Sequence, residues 1–197
     1  MKTTKEKILW TSLQLFARDG YEAVSVSQIA GELGMTKGAL YRHFKNKRDI
    51  FDHILRYMEE RDSEKADSHD MPEGSVSDTL AQYETLSLDD FLSYSKDMFL
   101  YWTEDDFASL FRKMLTIEQY RNEEIQKLYQ QYLGSGPLRY VEDLLHSMKI
   151  QAAKEMALRF YTTMFFFYSL YDGAEDKDKI KKQFEIAADG IVKGFLS

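Results

Sequence analysis

Residues 25–48, SVSQIAGELGMTKGALYRHFKNKR, spell out two short helices joined by a tight turn. Ser25 and Gln28 have capping-box spacing, at which each side chain satisfies a free backbone N–H of the other at a helix start. The helix so opened runs through Ile29, Ala30 and Leu33 to Gly34. Thr36 is a good N-cap for a second helix through Ala39, Leu40, Tyr41 and Phe44. Ala30, Gly34 and Leu40 then supply what a helix-turn-helix needs. These are a small residue where two helices nearly touch, a glycine able to take positive φ in the turn, and an apolar anchor on the second helix.

The chemistry of the second helix separates it from an ordinary helical hairpin. From Thr36 to Arg48 there are five Lys or Arg and no acid. Gly38 and Ala39 keep its first turn small enough to approach base edges closely. Lys37 and Arg42 are long donors with the reach for guanine O6 and N7, while Tyr41, His43 and Lys47 suit phosphate oxygens. Leu40 and Phe44 are expected to face inward. Plainer readings are Tyr41 as a cap on the core and Lys45–Arg48 as a solvated turn. The basic and aromatic helix just before that turn favours a phosphate backbone.

The charge of the whole chain at first argues the other way. Its net charge is −7 over 197 residues, and phosphate binding needs clustered positive charge. Residues 1–50, however, hold nine Lys or Arg against five Asp or Glu, a net +4, and the remainder carries −11. A basic head precedes an acidic body.

Working outward, Thr3 and Glu6 form another capping box, and Ile8, Leu9, Leu13, Leu15 and Phe16 line one face of a first helix that ends at Asp19-Gly20. A fourth helix is expected from about Lys47 through Ile50, Phe51, Ile54, Leu55 and Met58. Ser63 to Ser77, acidic and polar with Pro72 and Gly74, reads as a loop. Helices are predicted beyond it at roughly 76–85, 88–102, 104–117, 121–147 with an irregularity at Gly134 to Pro137, 151–172 and 177–195. With only two prolines and ten glycines, the chain is expected to be all-α.

Other classes of protein find little support. There is no cysteine, and His43, His53, His69 and His146 lie far apart, so no metal and no cofactor is expected. No Gly-rich phosphate loop, HExxH, GxSxG or CxxC pattern occurs, so the chain is not read as an enzyme. The most apolar stretch, Met164 to Leu170, is far shorter than a membrane span, and a cytoplasmic protein is expected.

Across about residues 5–55 the sequence resembles the DNA-binding domain of the TetR family of transcriptional regulators. Gly20-Tyr21, Ser25-Val26, Ile29-Ala30, Gly34, Lys37-Gly38, Leu40-Tyr41, His43-Phe44 and Lys47 stand where that family's pattern has the same or similar residues. The resemblance implies an N-terminal three-helix helix-turn-helix domain over residues 1–48 and a C-terminal helical bundle for effector binding and dimerisation over 49–197. It also implies a homodimer on a palindromic double-stranded DNA operator, with repression as the default and a small-molecule effector as the release signal. The roles it carries over are phosphate contacts for Ser25 or Ser27, Tyr41, His43 and Lys47; on the reading of the residues themselves, Ser25 to Gln28 and Lys47 buttress the reading face. Base or groove contacts fall to Thr36, Lys37, Gly38, Ala39 and Arg42. The competing reading is a helical protein-binding adaptor that does not bind DNA.

In the body, aromatic and methionine side chains recur at helical spacing. Tyr94, Met98, Trp102, Phe111, Met114, Tyr120, Tyr161, Met164, Phe165 and Tyr168 are candidates to line an apolar effector pocket, and packed core is the plainer reading of each. The run Phe165-Phe166-Phe167-Tyr168 puts bulky groups on every side of one helix. Such a helix is expected to be buried all round, one face in its own domain and another against a partner. The TetR resemblance implies that the last two long helices, about 151–172 and 177–195, form a four-helix bundle across a two-fold axis.

Overall fold

Side-chain caps open the first three helices where the sequence places them. The computed structural model describes residues 3–68 and 86–194. Helix α1 (Thr4–Asp19) starts on a capping box: the Glu6 N–H donates to Thr3 Oγ1 at 3.3 Å and the Thr3 N–H to Glu6 Oε2 at 2.6 Å. Helix α2 (Val26–Glu32) repeats it, with the Gln28 N–H on Ser25 Oγ at 3.2 Å and the Ser25 N–H on Gln28 Oε1 at 2.7 Å. Helix α3 (Lys37–Tyr41) opens with the Ala39 N–H on Thr36 Oγ1 at 3.2 Å. It ends three residues before Phe44, the last residue read into it from the sequence.

The turn between α2 and α3 explains its glycine. The Gly34 N–H donates to the Gly31 carbonyl at 3.0 Å and the Met35 N–H to the Ala30 carbonyl at 2.9 Å, the paired bonds of a Schellman motif. That motif needs a left-handed residue, and Gly34 has φ +63°. No neighbour lies within 4 Å of where its Cβ would stand, so the requirement is conformational rather than spatial.

Helix α4 (Lys47–Asp67) follows. It runs through the first five residues of the stretch read as a loop, because Ala66 keeps an apolar side chain buried there. The helix expected at 76–85 lies outside the described residues. Next come α5 (Leu88–Glu104), α6 (Asp106–Glu118), α7 (Glu123–Tyr132), α8 (Ser135–Ser147), α9 (Ala153–Gly173) and α10 (Lys177–Lys193). Helix is the only regular secondary structure among the described residues. The expected helix over 121–147 is two: Gly134 breaks it with φ −108° and ψ −118°, and a side chain at Gly136 would collide with the Gln131 carbonyl.

Packing divides the chain into two units, 1–62 with 106–129, and 63–105 with 130–197. In the first, Ile8, Leu13, Phe16, Ile29, Leu40, Phe44, Ile50, Phe51 and Ile54 are buried together with Phe107, Phe111, Met114 and Leu115 of α6. Helix α6 packs along α1, where the Trp10 and Phe107 rings meet edge-on at 5.2 Å. At the end of α1, Gly20 has φ +90°, and a Cβ there would strike the carboxylate of the fully buried Glu118. The sequence assigns α6 to the body, whereas its apolar side chains fill the head's core.

The second unit is built on α9, which packs against α8, α10 and α5. Phe99 stacks on Phe184 at 4.1 Å and on Tyr168 at 5.7 Å. A polar knot ties the ends of three helices: the Tyr171 hydroxyl and Lys181 Nζ both donate to Glu104 Oε1, at 3.1 and 2.7 Å. Within one chain α9 buries Tyr161, Met164 and Tyr168 but leaves Phe166 60% and Leu158 50% exposed.

Candidate nucleic-acid interface

Helix α3 is held from beneath and left open above. Leu40 and Phe44 are buried, while Thr36, Lys37, Gly38, Tyr41, Arg42 and His43 are exposed and Ala39 is half-buried. The apolar residues act as anchors, and the polar ones share the solvent side. Gly38 takes no positive φ, and beyond its chain neighbours and its own helix backbone no described atom lies within 4 Å of the place its Cβ would occupy. A glycine costs a helix about 1 kcal/mol relative to alanine, less in the first turn, and nothing inside the chain requires one here.

The two arginines of the head that lie away from α3 are neutralised within the chain, Arg18 by Asp19 at 2.7 Å and Arg48 by Asp52 at 2.6 Å and by Glu124. Hydrogen bonds to these carboxylates hold the Arg18 and Arg48 guanidiniums above, and Asp19 and Glu124 below, their ordinary pKa values. On α3, Lys37 and Arg42 make no ion pair with any described residue. Lys37 Nζ lies 5.7 Å from the Tyr41 ring centroid, a cation–π contact that leaves the ammonium at the surface. Its charge is available to an outside anion.

Several residues singled out from the sequence are engaged inside the chain. Ser25 and Gln28 bind each other as the α2 cap, Thr36 caps α3, and Ser27 stands exposed on α2. Lys47 is half-buried, with Nζ donating to the Tyr21 carbonyl at 2.8 Å and the Glu22 carbonyl at 3.3 Å, over the Tyr21 ring at 4.3 Å. It straps α4 to the loop after α1. Lys45, left off the sequence's contact set, is exposed just beyond α3, and its place in the basic run was the signal for it.

The ten effector-pocket candidates are divided between the packing units. Phe111 and Met114, both buried, and Tyr120, 85% exposed, belong with the head. Trp102, Tyr161, Met164 and Tyr168, buried, and Tyr94, Met98 and Phe165, half-buried, belong to the second unit. The Tyr161 hydroxyl is already engaged, donating to the Leu133 carbonyl at 2.8 Å. An open cleft of about 540 Å³ lies at the junction of α8 and α9, lined by Glu142, Asp143, His146, Ala152, Ala153, Lys154 and Glu155. Its lining is charged and contains no aromatic residue.

Residues 8–54 match the family model described as bacterial regulatory proteins, tetR family. Over that stretch the head is similar to those of TetR-family regulators. The chain is 31% identical over 153 residues to the uncharacterised HTH-type transcriptional regulator YerO of Bacillus subtilis, covering 73% of this chain and 52% of YerO. A 56-residue match to the HTH-type transcriptional regulator AcrR of Shigella flexneri is 41% identical and covers 28% of this chain and 26% of AcrR. The chain thus spans about half the length of YerO and about a quarter of AcrR. In fold it is similar to SmeT, the repressor of the Stenotrophomonas maltophilia multidrug efflux pump SmeDEF, with a TM-score of 0.63 over 98% of this chain and 90% of SmeT at 18% identity. The SmeT–triclosan complex gives 0.67 over 98% and 91% at 17% identity. At that identity the likeness establishes the TetR-type fold, a helix-turn-helix head followed by a helical body.

Proposed function

We propose that this chain is a TetR-family, sequence-specific DNA-binding transcriptional regulator of the cytoplasm, a repressor that leaves a palindromic operator when a small, largely apolar effector binds. One observation carries the reading: the exposed face of α3 holds Lys37 and Arg42 without ion pairs among the described residues, while Arg18 and Arg48 are paired within the chain. Lys37 and Arg42 suit guanine edges in the major groove, and Tyr41, His43 and the Lys45 side chain suit the flanking phosphates. Gly38 lets the helix approach without obstruction. Functionally, residues 1–48 are the DNA-binding domain and 49–197 the effector-binding and dimerisation domain.

A homodimer through α9 and α10 belongs to the same proposal. Leu158, Phe166 and Leu170 lie eight and four residues apart, on one face of α9, and are all exposed, with Ile186 on α10 73% exposed. A second copy covers such a stripe isologously and brings two recognition helices about 34 Å apart, one DNA turn. SmeT, a repressor also seen with triclosan, supports the expectation of an effector. The aromatic side chains of the second unit favour an apolar one.

A gel-shift titration against the DNA upstream of the protein's own gene tests the reading. Lys37→Ala and Tyr41→Ala are expected to weaken retention at least tenfold while their melting temperatures stay at the wild-type value. Undiminished retention by both variants would favour the adaptor.

A further inference from the structure

Three consecutive residues at the start of α4 reach three different segments. Lys47 Nζ holds the Tyr21 and Glu22 carbonyls in the loop between α1 and α2. Arg48 takes Glu124 at the start of α7 in a two-pronged pair, Nη2 to Oε1 at 2.6 Å, while its Nε donates to Asp52 at 2.6 Å. Asp49 accepts the Lys45 N–H at 2.8 Å, in the turn that leads from α3. Asn122 closes the figure, its Nδ2 donating to Glu22 Oε1 at 2.8 Å. The result is a ring of polar contacts running from α4 to the α1–α2 loop, to the α6–α7 turn and back to α4.

Everything in that ring lies in the first packing unit, and each link spans a long stretch of sequence except Arg48–Asp52 and Lys45–Asp49. The recognition helix is only five residues long. It cannot fix its own direction, so its orientation depends on what holds its two ends. The ring grips the loop leading toward α2 and, through Asp49, the turn out of α3. Glu124 is exposed, and both of its carboxylate oxygens accept from the Arg48 guanidinium.

We infer that Arg48 and Glu124 are positioning residues for DNA binding, holding α3 at the angle the major groove requires without touching DNA themselves. The inference rests on the DNA-binding reading above. Electrostatics gives it a test by sign. Glu124→Gln removes a negative charge, and toward a polyanion that change by itself raises affinity. A positioning role predicts the opposite, a three- to tenfold loss.

The experiment is fluorescence anisotropy with a duplex selected from random sequence by the wild-type protein, over a series of salt concentrations. Glu124→Gln and Arg48→Lys are both expected to lose three- to tenfold in affinity, since lysine keeps the charge but cannot make the two-pronged pair. The slope of log affinity against log salt should stay at its wild-type value in both, whereas loss of a phosphate contact lowers it by about 0.9. Melting temperature should change little, because the pair is half exposed. Tighter or unchanged binding by Glu124→Gln, or wild-type binding by Arg48→Lys, overturns the inference alone if Lys37→Ala and Tyr41→Ala weaken binding. Full binding by those two variants overturns the DNA-binding reading and this inference with it.

Discussion

Helices α3 and α9 both turn side chains outward that their own unit does not use, and the two faces differ in kind. On α3 the outward set is cationic and phenolic, with Lys37 and Arg42 in no ion pair with a described residue and Tyr41 beside them. On α9 it is apolar, with Leu158, Phe166 and Leu170 in one stripe. A burial pattern alone marks both as incomplete. The chemistry of each face differs in what it suits: a polyanion for the first, another apolar surface for the second.

The largest effect is expected on α9. Phe166→Glu puts a charge in the middle of the stripe, and burying it against a second copy is costly. The variant is expected to sediment as a monomer and to lose at least about 100-fold in operator affinity, about 2.7 kcal/mol, because each half-site is then bound separately. A Phe166→Glu protein that remains dimeric at micromolar concentration means that the stripe faces no second copy. Lys37→Ala on α3 is expected to cost about tenfold and to lower the salt slope by about 1, with dimerisation untouched. Separate outcomes for the two variants keep the faces distinct.

The head was legible because its information is local. Thr3–Glu6, Ser25–Gln28 and Thr36 cap α1, α2 and α3 over three residues each, and Gly34 adopts the φ that its turn demands. The all-α fold and the TetR resemblance followed from such short-range signals. The candidate interface was legible to the level of exposure: Lys37, Gly38, Tyr41, Arg42 and His43 are on the surface as read, but that Lys47 is tied to Tyr21 and Glu22 is a contact across some 25 residues that no local pattern announces. The ring through Asn122 and Glu124 is of the same sort. The body was legible only as helices. Its aromatics follow helical spacing whether they line a cavity or fill a core, so sequence could not tell that Phe111 and Met114 would pack with the head while Tyr161 gives its hydroxyl to Leu133.

Two glycines show the contrast between inner and outer requirements at a smaller scale. Gly34→Ala forces a side chain into φ +63° and is expected to destabilise the fold by about 1–2 kcal/mol in denaturant titration. Gly38→Ala meets neither strain nor a neighbour and should leave stability unchanged or raise it by up to about 1 kcal/mol. Its affinity for DNA should nonetheless fall, because the added methyl stands where the groove must come close. A Gly38→Ala variant that binds as tightly as wild type removes close approach from the description of α3.

The smallest effect concerns acid. In the head, hydrogen bonds from Arg48 hold the Glu124 carboxyl below its ordinary pKa of 4.5, and in the body the Ser87 hydroxyl and N–H do the same for Asp90, whose ordinary value is 3.8. A carboxyl with a lowered folded-state pKa stabilises the fold fully above its unfolded value and stops doing so as pH falls through the folded one. Both contributions are therefore flat from pH 9 to about 5 and fade below about 4.5 and 3.8 respectively. Solvent screening keeps the exposed Glu124–Arg48 pair to at most about 1 kcal/mol. In thermal melts between pH 7 and 3, Glu124→Gln should lie slightly below wild type at pH 7 and converge with it in acid, and Asp90→Asn should converge lower still. If neither curve approaches wild type at pH 3, these carboxylates are not what acid titrates, and the link between the Arg48 pair and the head's geometry must be carried by its shape instead of its charge.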